Sequence, residues 1–204
     1  MLLRGGTVDH TVLGAQVVGW CITGAAITLY VPMIAELVRN QKAPASMSAT
    51  TWSLQLLGFT TTVIYHVRMG YPLSTFADFA ALGVQSLVIL TLCMHFRKRV
   101  TPFAILPLFG LIYGLLAGPS GLRSLQVVSA AVTTWALLPQ IVRNVQAKSR
   151  GGFSPSAAAL SCVGNAGRLF TTLKLADANL ILIGQFGVTL VLNSVLLVQS
   201  LVWD

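Results

Sequence analysis

The chain has 204 residues, of which 55% are hydrophobic and only 9% charged, and its formal net charge is +8. Soluble domains carry about 25% charged residues, so this composition, with a mean hydropathy of +0.79, excludes an ordinary soluble globule and points to the membrane. The basic residues sit in short clusters between apolar runs rather than in a stripe interleaved with aromatics, which argues against a nucleic-acid surface.

Crossing the hydrocarbon core takes roughly 20 apolar residues in a helix. By that measure the sequence predicts seven spans, in chain order 14–38, 50–69, 75–96, 102–118, 122–145, 156–174 and 178–202. The fourth is short and uncharged. Each gap holds proline, glycine, lysine or arginine, the usual chain punctuation. The fold class that follows is an all-α integral membrane bundle.

The odd-numbered loops carry Arg39, Lys42, Arg97, Lys98, Arg99, Arg143, Lys148 and Arg150. The N-terminal segment and the even loops carry only Arg4, Arg68, Arg123 and Lys174. Because the Lys/Arg excess marks the cytoplasmic face, the N-terminus is expected to be lumenal and the C-terminus cytosolic. MLLRGGTVDHTV lacks the apolar core of a secretory signal, so the first span is expected to act as its own insertion signal. Cys21, Cys93 and Cys162 lie inside apolar runs without ligand spacing, which supports neither a disulfide framework nor a metal site.

LYVPMIAELVRNQKAPASMS (29–48) and LLPQIVRNVQAKSRGGFS (137–154) share a proline, an Arg-Asn pair, a lysine and a serine. The pairs Pro32/Pro139, Ser48/Ser154, Gly58/Gly164 and Gln85/Asn193 are all spaced 106 to 108 residues apart. This near-constant offset predicts one membrane domain, 1–204. Residues 14–96 and 122–202 form two parallel three-helix repeats, and 102–118 a linker helix (3+1+3). Gly110, Gly114 and Gly118 give that linker a flat face for close packing. Proline within a helix removes one hydrogen bond and clashes with the carbonyl four residues back. Pro32 and Pro139 are therefore expected to form paired kinks or hinges, freeing the carbonyls of Thr28 and Trp135.

A Pro-Gln pair near a helix end, here Pro139-Gln140, followed by a basic turn from Lys148 to Ser154, resembles the PQ-loop family. That superfamily includes parallel-repeat folds of the SWEET type. The first copy departs from the motif, with Met33 in place of glutamine. Residues 56–97 and 160–203 resemble the mannose-P-dolichol utilization defect 1 proteins more closely. Carrying that likeness are Tyr71-Pro72-Leu73-Ser74, Asp78, Gln85 and His95-Phe96-Arg97, then Gly164, Arg168-Leu169-Phe170-Thr171 and Asn193. Asp78 stands where the family usually has glutamate. The resemblance implies a multi-pass endoplasmic reticulum protein needed for lumenal use of dolichol-phosphate mannose and glucose. Membrane lipid and dolichol-phosphate sugars are then the implied partners, and a second copy of the chain or components of the glycosylation machinery are the protein partners open to it. No cofactor is implied.

Gln85 and Asn193, lone amides in mid-span, are candidates to meet sugar hydroxyls, since an amide both donates and accepts; interhelical hydrogen bonding is the simpler reading. Asn165 is a third amide candidate. Arg168 is the one clear charge within a span, at a cost of roughly 2.5–3.5 kcal/mol on insertion scales. It is expected to pair with Asp78 or to meet a lipid phosphate. Tyr65, His66 and Tyr71 read as the lumenal interface, where aromatic belts sit. H-E-x-x-H, G-x-S-x-G and P-loop motifs are absent, and Asp9, Glu36, Asp78, Asp177 and Asp204 make no catalytic pair. The two functional readings are a non-enzymatic factor for dolichol-linked sugar donors and an alternating-access transporter of a small solute such as a sugar or amino acid.

Overall fold

The computed structural model describes residues 10–43, 47–135, 137–148 and 155–202, without the side chains of residues 139, 140, 143, 147, 156 and 157. Every regular element in that part is helical. The first predicted span is two helices, α1 (His10–Leu29) and α2 (Val31–Asn40), separated at Tyr30. Then come α3 (Ala49–Arg68), a 3-10 turn at Leu73–Thr75 and α4 (Ala77–Arg97). A second 3-10 turn, Pro102–Ile105, leads into the short α5 (Leu106–Leu116). The remainder is α6 (Pro119–Trp135), α7 (Leu138–Ala147), α8 (Pro155–Leu175) and α9 (Leu180–Val202).

Local chemistry sets these boundaries. Pro32 and Pro139 each occupy the first turn of a ten-residue helix, where a missing N–H costs nothing and the fixed φ suits the helix. The same prolines cannot continue a helix arriving from before them, so each breaks a span in two. Ser48 caps α3, its Oγ accepting from the Thr51 N–H at 3.3 Å. Helices α2, α4 and α7 end on left-handed residues Gln41, Lys98 and Lys148, which turn the chain out of the helix as a glycine cap would.

Within the described residues His10–Asn40, Ala77–Arg97 and Leu180–Val202 are long and apolar enough to cross a membrane, and Pro102–Leu116 is a shorter apolar stretch. Their outward faces carry large bare hydrophobics, among them Val84, Phe109, Leu116, Val191 and Val198. An apolar surface of that extent belongs in lipid. The interior is correspondingly polar in places: Ser53, Thr61, Ser86, Gln126 and Asn144 are all buried.

In the first half of the chain α4 packs against both α1 and α3; in the second, α9 packs against both α6 and α8. The halves meet along α1–α8 and along α3–α6, and α5 lies against α3 and α6. Two features allow the closest approaches. A Cβ on Gly19 would overlap the Ser74 carbonyl, so α1 seats directly on the 3-10 turn. Gly110 and Gly114 face Leu57, Thr61 and Ile64 of α3, whereas Gly118 has nothing within 4 Å. The flat face expected on the linker thus extends over two of its three glycines.

Candidate functional site

At the end of the bundle where α4 and α9 begin, the 3-10 turn and α4 converge on one arginine of α8. Arg168, on α8, is 4% exposed. Its guanidinium pairs with the Asp78 carboxylate in the first turn of α4. Nη1 donates to the Thr75 carbonyl at 2.8 Å and, more weakly, to that of Ser74 at 3.4 Å. The guanidinium carbon also lies 5.2 Å from the centre of the Phe79 ring, within cation–π range. Asp78 is well placed for a negative charge, because the start of α4 presents unpaired N–H groups.

Beside the pair lies an aromatic cluster. His66 is buried, and its Nδ1–H donates to the Thr62 carbonyl at 2.8 Å, which fixes that nitrogen as the protonated one. Tyr65, Tyr71, Phe76 and Phe79 surround its ring. Asn179 closes the cluster from the other half of the chain: its Nδ2 donates to the hydroxyls of both Tyr65 and Tyr71 at 2.9 Å. Its Oδ1 caps α9 by accepting from the Ile181 and Leu182 N–H groups. Burial pushes the Tyr71 phenol above its ordinary value, with the Asn179 hydrogen bond opposing it.

This geometry corrects the reading of Tyr65, His66 and Tyr71 as an interfacial belt. Their relative exposures are 0%, 1% and 8%. All three are packed inside the protein, where Asn179 supplies a partner for both tyrosine hydroxyls and the Thr62 carbonyl one for His66.

The mid-span amides are engaged with backbone. Gln85 Oε1 accepts from the Tyr30 N–H at 2.9 Å, and its Nε2 donates to the carbonyls of Ala26 at 2.9 Å and Ala81 at 3.2 Å. Tyr30 and Ala26 are the pair that an unbroken helix would join directly; the Gln85 amide is inserted between them. Asn193 Nδ2 donates to the Thr189 carbonyl of its own helix, and Asn165 Nδ2 to that of Ser161. Each of the two matched amides thus has a backbone carbonyl as a hydrogen-bond partner. Pro32 flanks the α1–α2 break; Pro139 and Gln140 lie in the first turn of α7, with side chains outside the described residues, as is the 149–154 part of the basic turn.

Several polar residues that sequence reading passed over form the interior of the second half. Gln126 Nε2 donates to Gln185 Oε1 at 2.9 Å. Asn144 Nδ2 donates to Gln199 Oε1 at 3.1 Å, and Gln199 Nε2 to the Ile141 carbonyl at 3.2 Å. The signal was there, since each is an amide in or beside an apolar run, the criterion that singled out Gln85. Between α6 and α9 an open crevice of about 320 Å³ is lined by Val127, Ala130, Thr134, Gly184, Gln185 and Val188.

Among known families, residues 122–177 match the model described as PQ loop repeat. The match runs from α6 through the broken α6–α7 segment and α8 to the turn before α9. This membrane protein therefore carries a PQ-loop repeat in the second half of its chain.

Proposed function

We propose that the chain is a non-enzymatic, multi-pass protein of seven spans in a 3+1+3 plan, serving the use of dolichol-phosphate mannose and glucose in lumenal glycosylation. It presents or reorients the lipid-linked sugar in the endoplasmic reticulum membrane, with its N-terminus lumenal and its C-terminus cytosolic. The observation that carries the architecture is the pair of proline-broken segments. Helices α2 and α7 have the same length, the same proline position and the same kind of left-handed terminus. The PQ-loop match over residues 122–177 supports the same plan. The substrate class rests on the likeness of residues 56–97 and 160–203 to the mannose-P-dolichol utilization defect 1 proteins.

A second reading, transport of a small solute between the two halves, is favoured by one specific observation. The Arg168 guanidinium is enclosed and committed to Asp78 and the Thr75 carbonyl, which leaves little of it for a lipid phosphate. On the first reading Arg168 braces the site, and the headgroup is met beside it rather than by it.

Photocrosslinking separates the two. The purified protein in lipid nanodiscs is exposed to a photoreactive dolichol-phosphate mannose, with free mannose and mannose-6-phosphate as competitors. Labelling that only excess dolichol-phosphate sugar displaces supports the proposal. Labelling no higher than that of an unrelated membrane protein, together with solute uptake in liposomes, favours the transporter.

A further inference from the structure

Helices α6 and α9 start at the same end of the bundle, where Tyr71, Leu122, Ala176 and Leu182 share one apolar cluster. From there they run side by side, and the crevice of about 320 Å³ opens between them. Its walls include Val127, Ala131 and Thr134 of α6 and Leu180, Gly184 and Val188 of α9. Val127, Leu180 and Val188 are each about half exposed or more, so the crevice opens on the apolar outer surface. The stretch of α6 from Val127 to Thr134 gives it a length of about 10 Å. Gly184 has nothing within 4 Å of the place its Cβ would take, which leaves the α9 wall bare.

Two polar groups mark the end of the crevice nearest the helix starts. Gln126 Nε2 donates to Gln185 Oε1 at 2.9 Å. That bond occupies the oxygen and leaves Gln185 Nε2 without a hydrogen bond among the described residues. Gln185 lines the crevice, and an amide N–H without a partner is costly in hydrocarbon. The crevice therefore carries an unused donor. Arg123 stands one turn beyond, four residues before Val127 and on the same face of α6. It is exposed and forms no ion pair among the described residues. Its charge favours the ionised Tyr71 phenol while that of Asp177 opposes it, which sets Arg123 beside the tyrosine cluster.

A cation at the mouth, a donor one turn in and an apolar trough below follow the order of groups in a phosphate-headed lipid. We propose that the α6–α9 crevice is a lateral binding site for a polyisoprenoid phosphate. Arg123 meets the phosphate, Gln185 Nε2 its ester oxygen, and the first isoprene units lie between Val127, Ala131, Gly184 and Val188. A guanidinium suits phosphate, and Arg168 is already committed to Asp78. The trough has room for a stretch of one chain, which favours a single-chain lipid over a two-chain phospholipid. The identity of the lipid rests on the proposed role in dolichol-phosphate sugar use; the position of the site rests on Arg123, Gln185 and the crevice.

Mapped photocrosslinking tests it. The full chain in nanodiscs is labelled with dolichyl phosphate mannose carrying a diazirine in its first isoprene units, and the labelled residues are read by mass spectrometry. Labelling is expected on residues 127–134 and 184–188, displaced by excess dolichyl phosphate and not by excess phosphatidic acid. Arg123→Ala is expected to weaken it about tenfold, the loss of one charge-assisted contact, and Arg123→Lys to retain part of it. Gly184→Leu, which fills the trough, is expected to abolish it. Both positions are exposed, and unchanged melting temperatures show that the variants are folded. Saturable labelling that maps to other helices and ignores Arg123→Ala overturns the site while leaving the dolichol role standing. Displacement by phosphatidic acid overturns the polyisoprenoid assignment. Absence of saturable labelling anywhere overturns both the site and the role.

Discussion

Arg168 and Asp78, from opposite halves of the chain, form an ion pair in which the two side chains are only 4% and 6% exposed. Together with the Thr75 carbonyl and the Phe79 ring, the pair fastens α8 to the start of α4 and to the 3-10 turn. Removing one partner strands the other as a buried charge, at about 3–5 kcal/mol, whereas replacing both with apolar residues is often far less costly. Arg168→Ala and Asp78→Ala are therefore each expected to lower thermal stability in detergent sharply. Arg168→Met with Asp78→Leu is expected to recover much of the loss. Additive losses in the double variant contradict a coupled buried pair.

Gly19 marks where α1 sits on the 3-10 turn. The atom that its missing Cβ would strike is the Ser74 backbone oxygen, which cannot rotate away. Gly19→Ala is expected to cost about 2 kcal/mol through overpacking. Gly14→Ala, on the same helix with nothing within 4 Å, is expected to be neutral or to stabilise by up to about 1 kcal/mol from helix propensity. Melting temperatures of the two variants check the contrast.

Asn179 makes two kinds of bond with one side chain, capping α9 and joining Tyr65 to Tyr71. Asn179→Ala is expected to cost about 2 kcal/mol, combining a lost cap with stranded hydroxyls. Asn179→Asp keeps the capping oxygen but loses the donor, so it is expected to fall between Ala and wild type. Tyr65→Phe combined with Asn179→Ala tests whether the two losses overlap, as they do if the hydroxyl bond is real.

Arg68 closes the far end of the linker. Its Nη1 donates to the Gly114 carbonyl in the last turn of α5 at 2.9 Å and to that of the C-cap residue Ala117 at 2.6 Å. Arg68→Ala is expected to lower stability by about 1 kcal/mol, discounted for partial exposure. It is also expected to raise hydrogen exchange at the C-terminal turn of α5 without affecting α9. Uniform exchange changes across the bundle contradict a local cap.

Hydropathy and punctuation located the helices closely: the predicted span 50–69 is α3 at Ala49–Arg68, and 156–174 is α8 at Pro155–Leu175. The prolines marked the breaks, because a ring that removes an N–H has the same consequence wherever it sits. The pairing of Arg168 with Asp78 was readable from their common end of the bundle and opposite charge. The work of the amides was harder to read. Whether Gln85 faces a cavity or a backbone depends on the rotation of α4 about its axis, and a uniformly apolar helix gives little periodic signal to fix that. The same ambiguity hid Gln126 and Gln199. Tyr65 and Tyr71 were assigned to an interface by sequence depth, but the cluster they form with Leu122, Ala176, Leu182 and Phe186 puts them inside.

The most direct test of the proposed role is complementation of cells lacking the mannose-P-dolichol utilization factor, reading the sizes of their lipid-linked oligosaccharides. Expression of this chain is expected to restore full-length glycans, and Arg168→Ala at matched abundance is expected to leave them truncated. Persistently truncated glycans with the wild-type protein correctly placed in the endoplasmic reticulum contradict the role in dolichol-sugar use.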